Sequence, residues 1–160
     1  MNEDLQEALA LRQSGQHEEA RELLLELVQQ YPDDANIQYQ AASVHDALGY
    51  EREAIPFYER AIELGLPEPV QAGGLLGRGI TWRTLGEYDR AETVLRDGVD
   101  RFPDMRAMEV FLAMTLYNQG KVHEAMTRLL EVIVDTSEDD SIRGYERAIR
   151  YYADKLDQTL

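Results

Sequence analysis

Three histidines and several pairs of acidic residues are the side chains of this sequence that could bind a metal or act as general bases. His17 and His123 are each followed by glutamate, but no second histidine stands at the spacing that holds zinc on one helix. Acidic pairs such as Asp33 and Asp34 fall at expected turns and helix starts, where carboxylates favour the helix dipole and solvent. No pattern brings two carboxylates together across a pocket, as glycoside hydrolysis requires. We therefore expect structural roles for the histidines, no metal, no other cofactor and no enzymatic activity.

A glycine-rich segment at residues 73–79 invites comparison with phosphate-binding loops. It lacks the Gly-Lys-Ser/Thr ending of such loops and follows no predicted strand. We interpret its glycines as sites of close helix packing or as a frayed helix start. Interior glycines cost a helix roughly 1 kcal/mol each relative to alanine, so the sequence predicts a weak point here.

The composition excludes further classes of function. The 160 residues include 16 basic and 31 acidic side chains, for a net charge of −15, and no cysteine. Thiol catalysis and thiolate metal sites are excluded by the lack of cysteine. The negative charge repels phosphate backbones and anionic lipids, so we expect no nucleic-acid partner and no membrane partner. Apolar runs are too short to cross a bilayer, and the first residues do not resemble a signal peptide, so we expect a cytoplasmic protein.

A repeated pattern runs through most of the chain. Four glycines, spaced 34, 37 and 34 residues apart, are each followed five positions later by alanine. These pairs are Gly15 and Ala20, Gly49 and Ala54, Gly86 and Ala91, and Gly120 and Ala125. After each alanine, apolar residues recur three and four apart, which is typical of a helix with one buried side. Each glycine is predicted to adopt the left-handed backbone that ends a preceding helix.

These residues in register resemble the tetratricopeptide repeat, a unit of about 34 residues made of two antiparallel helices. The run from His45 to Gly79 is also similar to a group of small bacterial members of that family. The resemblance implies an all-α fold, a right-handed superhelix of antiparallel helix pairs with about nine helices. It implies four repeats, at about residues 1–34, 35–71, 72–105 and 106–139. The three extra residues of the longer interval are predicted in the loop at residues 64–69.

Residues 140–160 are predicted to form a C-terminal capping helix that covers the last repeat. One stripe of this helix holds Ile142, Tyr145, Ile149, Tyr152 and Leu156. Two roles stay open for it. The stripe packs on the last repeat, or Tyr145, Ile149 and Tyr152 dock on a second copy in a homodimer.

In the resembled family, the first helices of successive repeats line a concave groove that holds peptides or partner helices. The resemblance therefore implies a non-catalytic scaffold that binds a protein or peptide partner. Carried over position by position, the partner-binding residues are Tyr39, Ser43, Asp46, Ile80, Arg83, Val110, Phe111, Met114, Tyr117 and Asn118. Two alternatives stay open: packing between first helices occupies several of these side chains, or the chain is a structural protein that associates with itself.

Overall fold

The computed structural model describes residues 3–159. In this part of the chain every regular element is a helix, and there are ten of them. The prediction of an all-α chain is confirmed, and the tenth helix arises because the C-terminal segment contains two short helices in place of one. Within the same residues, no helix has both the length and the apolar composition needed to span a membrane.

A first compact unit ends at Glu87. Its consecutive helices pack against each other, and the first, third and fifth also contact one another in order. The second and fourth helices pack against these three. Leu24, Leu27 and Ile37 are buried where the second and third helices meet. The helices are α1 (Glu3–Gln13), α2 (His17–Gln30), α3 (Ala35–Ala47), α4 (Glu51–Leu64) and α5 (Glu68–Thr84).

A second compact unit begins at Tyr88. Its core contains Leu95, Met108, Leu112 and Leu116, all of them inaccessible to solvent. The sixth, seventh and eighth helices pack in sequence, and the tenth packs on the eighth. The helices are α6 (Tyr88–Arg101), α7 (Ala107–Asn118), α8 (Val122–Thr136), α9 (Asp140–Gly144) and α10 (Glu146–Ala153).

The four glycines of the repeated pattern end α1, α3, α5 and α7. Their φ angles lie between +78° and +82°, in the left-handed region that side chains with a Cβ rarely adopt. The predicted backbone at these turns is confirmed. The chain can therefore reverse direction within a few residues, and α2, α4 and α8 pack against α1, α3 and α7 respectively.

The glycine-rich segment lies inside α5, which is continuous from Glu68 to Thr84. The prediction of a frayed helix start is therefore wrong, and close packing between helices accounts for the glycines. A Cβ on Gly77 would lie 2.5 Å from the Tyr58 hydroxyl, and one on Gly74 would lie 3.1 Å from Leu66. The extra residues of the long interval are not in a loop, because α5 has 17 residues where α3 has 13 and α7 has 12.

Glu92 joins α6 to the turn between α7 and α8. Its carboxylate accepts hydrogen bonds from Lys121 (2.9 Å), Gln119 (2.8 Å) and Arg96 (2.9 Å). Burial alone raises the pKa of Glu92, but these hydrogen bonds outweigh it and lower the pKa to about 2. Because the folded state holds this group ionised, it stabilises the fold above pH about 4.5, and the contribution is lost as the pH falls toward 2.

We predict that Glu92→Gln lowers the free energy of unfolding by about 1–2 kcal/mol at pH 7, after allowance for solvent screening of the partners. The difference from the unsubstituted protein should shrink between pH 4.5 and pH 2, where Glu92 itself becomes protonated. Urea unfolding at a series of pH values measures both effects. Glu131→Gln, at an exposed position of α8, is the control and should change little. A Glu92→Gln loss that does not vary with pH would contradict the prediction.

Candidate partner-binding surface

Three of the predicted partner-binding residues lie on α3, which is flanked by α1 and α5. All three are half-buried. The Ser43 hydroxyl accepts a hydrogen bond from Arg12 Nη2 at 2.7 Å, and Arg12 also donates to the side chain of Gln40. Ser43 therefore ties α1 to α3.

Asp46 joins three helices through its carboxylate. Tyr58 of α4 donates to it at 2.7 Å, and the Thr81 hydroxyl of α5 lies 2.8 Å from it. The same hydroxyl lies 2.8 Å from the carbonyl oxygen of Gly77, and it can donate to only one of the two acceptors. Burial raises the pKa of Asp46, while the bonds from Tyr58 and Thr81 act to lower it. Burial also raises the pKa of Tyr58, and the neighbouring Asp46 raises it further.

The other predicted partner-binding residues of the first unit are also partly enclosed. The rings of Tyr39 and Tyr58 are 6.3 Å apart, and a Cβ on Gly73 would lie 2.9 Å from the Tyr39 hydroxyl. Ile80 and Arg83 on α5 are half-buried. The Nε atom of Arg83 is buried without a hydrogen-bond partner. In this unit, the predicted binding residues are therefore largely engaged in packing between helices.

The predicted residues of the second unit are more open. Tyr117 is 64% exposed and Met114 is 39% exposed, and Val110 lies one turn before Met114 on the same side of α7. Phe111 is half-buried and Asn118 is exposed. None of these five side chains is charged. The structure thus provides an uncharged and partly apolar side of α7 to solvent.

Sequence reasoning missed three exposed apolar residues on α8: Val122, Met126 and Ile133. Their spacing of four and seven places them on one side of the helix. That side differs from the one that holds the buried Ala125 and Val132. The sequence could have indicated their exposure, because these three apolar residues fall outside the buried apolar stripe that begins at Ala125.

The histidines have separate environments. His45 is buried, with Nδ1 2.7 Å from the carbonyl oxygen of Ala41, and its Nε2 accepts from Arg21 Nε at 3.3 Å. His123 lies within 3.3 Å of the Asp157 carboxylate. Among residues 3–159, no three His, Asp or Glu side chains converge as metal ligands would.

The C-terminal segment differs from the predicted stripe. The residue of α10 that is fully buried is Ala153, whose carbonyl oxygen accepts from Thr127 of α8 at 2.8 Å. Ile149 is half-buried, whereas Tyr145 is 70% exposed and Tyr152 is 51% exposed. The expectation that the tyrosines pack on the last repeat is therefore wrong. A small residue packs on α8, and the tyrosines remain accessible.

Comparison with protein families gives two matches. A family model described as "Tetratrico peptide repeat" matches residues 35–156. A second, described as "Tetratricopeptide repeat", matches residues 2–44. No protein of curated function matches the sequence.

Several solved structures have a similar fold. MamA from Desulfovibrio magneticus RS-1, from residue 41 to its end, superposes with a TM-score of 0.75 at 16% identity, covering 98% of this chain and 90% of that one. YrrB, a TPR protein, superposes with a TM-score of 0.72 at 17% identity, covering 95% of this chain and 77% of that one. At these identities the likeness shows a shared fold.

Proposed function

Since the chain belongs to the tetratricopeptide repeat family, we propose that it is a non-catalytic scaffold and that it binds a segment of another protein on the exposed side of α7. The supporting observation is the open, uncharged surface formed by Val110, Met114 and Tyr117. Tyrosine and methionine are enriched at protein interfaces, because each offers a large contact area. The family assignment alone is coarser, since it indicates protein binding without a location.

The chemistry of this surface favours an apolar partner. The acidic residue of α7 is Glu109, and its carboxylate is paired, because it accepts a hydrogen bond from Arg128 at 2.8 Å. A partner that covers α7 therefore displaces water from apolar groups without burying an uncompensated charge. An amphipathic helix, or an extended segment with aliphatic side chains, meets this requirement.

The predicted partner-binding residues of the first unit have a different role in this proposal. Ser43 and Asp46 already have hydrogen-bond partners within the unit, and a ligand that recruited them would have to replace those bonds. We assign them to the alignment of α1, α3, α4 and α5. YrrB, which has a similar fold, is a TPR protein with an unusual peptide-binding site.

Selection from a displayed peptide library against the full chain tests the proposal. We expect selected peptides to be rich in aliphatic and aromatic residues at helical spacing. Tyr117→Ala should weaken their binding by about tenfold or more, since a central interface tyrosine contributes more than about 1.4 kcal/mol. Titration calorimetry measures the affinities.

Tyr31→Ala is the matched control, because Tyr31 is an exposed tyrosine of the first unit. It should leave the affinity within about twofold, a difference below about 0.5 kcal/mol. Circular dichroism establishes that both variants are folded. Equal effects of the two substitutions, or a library that yields no binder, would refute the proposal.

A further inference from the structure

The outer side of α10 forms a cleft that the proposed function does not use. The cleft is shallow and open to solvent, with a volume of about 720 Å³. Ala148 lies at the centre of the helix segment that lines it, and the rings of Tyr151 and Tyr152 meet edge to face at 5.1 Å beside it. Tyr145 completes the aromatic wall. A small residue between exposed rings leaves room for a side chain from another molecule.

Two arginines line this cleft, and they differ in their partners. Arg150 is neutralised, because it donates to Asp135 at 2.6 Å and to Glu146 at 3.0 Å. Arg147 forms no ion pair with any residue from 3 to 159. The cleft therefore combines apolar surface with one positive charge that lacks a carboxylate.

From this combination we infer that α10 is a second docking surface, and that its occupant is an acidic segment of another protein. An aliphatic or aromatic side chain of that segment packs over Ala148 between the tyrosines. A neighbouring carboxylate pairs with Arg147 in the planar geometry that guanidinium groups favour.

Charge elsewhere on the chain supports this occupant over a second copy. Residues 140–160 carry four basic and four acidic side chains, whereas residues 1–139 carry 12 basic and 27 acidic side chains. The C-terminal segment is thus the part that repels an acidic ligand least, and at 0.1 M salt charges beyond about 10 Å are screened. Two copies of α10 that crossed antiparallel at Ala148 would bring their Arg147 side chains together, which disfavours self-association through this cleft.

The test uses the 160-residue chain with Tyr117→Ala as bait, so that a failure of the α7 proposal does not affect it. A displayed library of random peptides is selected on this bait, and the affinity of the selected peptides is measured by fluorescence anisotropy. We expect enrichment of Asp and Glu next to Leu or an aromatic residue. Arg147→Glu should weaken binding by more than tenfold, and Tyr152→Ser should also weaken it.

Arg52→Glu is the matched control, because Arg52 is an exposed arginine of the first unit. It makes the same change in net charge and should leave the affinity within twofold. Three results would overturn the inference: selected peptides without acidic enrichment, equal effects of Arg147→Glu and Arg52→Glu, or a concentration-dependent dimer that Tyr152→Ser abolishes. The last would identify a second copy as the occupant.

Discussion

Replacement of Leu112 by alanine is expected to lower the free energy of unfolding by about 2–5 kcal/mol. Leu112 is fully buried in the middle of α7, with Met108 one turn before it and Leu116 one turn after it, both also fully buried. The substitution removes apolar contacts and leaves a cavity that the helices around it can only partly close. For a domain with a total stability of about 5–15 kcal/mol, this is the largest effect we expect from a single truncation.

Urea unfolding followed by circular dichroism measures the loss. Met114→Ala is the control, since it lies two residues further along α7 and is 39% exposed. It should cost less than about 1 kcal/mol. In peptide binding the order should be reversed. Met114→Ala should weaken binding more than Leu112→Ala does, because Met114 belongs to the surface that we assign to the partner. An equal loss of stability in Leu112→Ala and Met114→Ala would contradict the burial of Leu112 and the exposure of Met114.

Replacement of Gly77 by alanine is expected to destabilise the first unit by about 1–3 kcal/mol. In an open helix this change would stabilise by about 1 kcal/mol. Here the new Cβ would lie 2.5 Å from the Tyr58 hydroxyl oxygen and 2.6 Å from the carbon that bears it. Tyr58 is 3% exposed and its hydroxyl donates to Asp46, so relief of the overlap costs both packing and a hydrogen bond.

Gly73→Ala is the matched control on the same helix. Its Cβ would lie 2.9 Å from the hydroxyl of Tyr39, the end of a side chain that is half-buried, whereas Tyr58 is 3% exposed. We expect a change of less than about 1 kcal/mol, of either sign. Thermal unfolding of the two variants gives the comparison. If Gly77→Ala were more stable than the unsubstituted protein, the packing of Tyr58 would not require glycine at residue 77, and the prediction would be wrong.

The repeated pattern was enough to predict the helical fold. Glycine at residues 15, 49, 86 and 120 ends a helix for a local reason, since the left-handed backbone depends on the absence of a Cβ at that residue. The α5 segment shows where such local reasoning ends. Its glycines weaken a helix by propensity alone, yet the helix is continuous, because the same glycines admit Tyr39 and Tyr58 from neighbouring helices and Leu66 from the loop before α5.

The candidate site was predicted less completely than the fold. Family register placed Ser43, Asp46, Met114 and Tyr117 at equivalent positions on first helices. The structure distinguishes them, because the first two have hydrogen-bond partners far away in sequence and the last two are exposed. For the exposed tyrosines of the C-terminal segment the sequence left two roles open, packing on the last repeat or docking on a second copy, because a helical stripe identifies residues that share a side but not the neighbour that they meet.

The sequence by itself determined the helices, their turns and the kind of protein, because backbone conformation and the period of apolar residues depend on residues a few positions apart. Only the tertiary structure decided which polar side chains are satisfied internally and which surfaces stay open. Whether Asp46 is engaged depends on Tyr58 and Thr81, which are 12 and 35 residues away. Whether Arg147 is free depends on which carboxylates the packing of α10 on α8 brings near it.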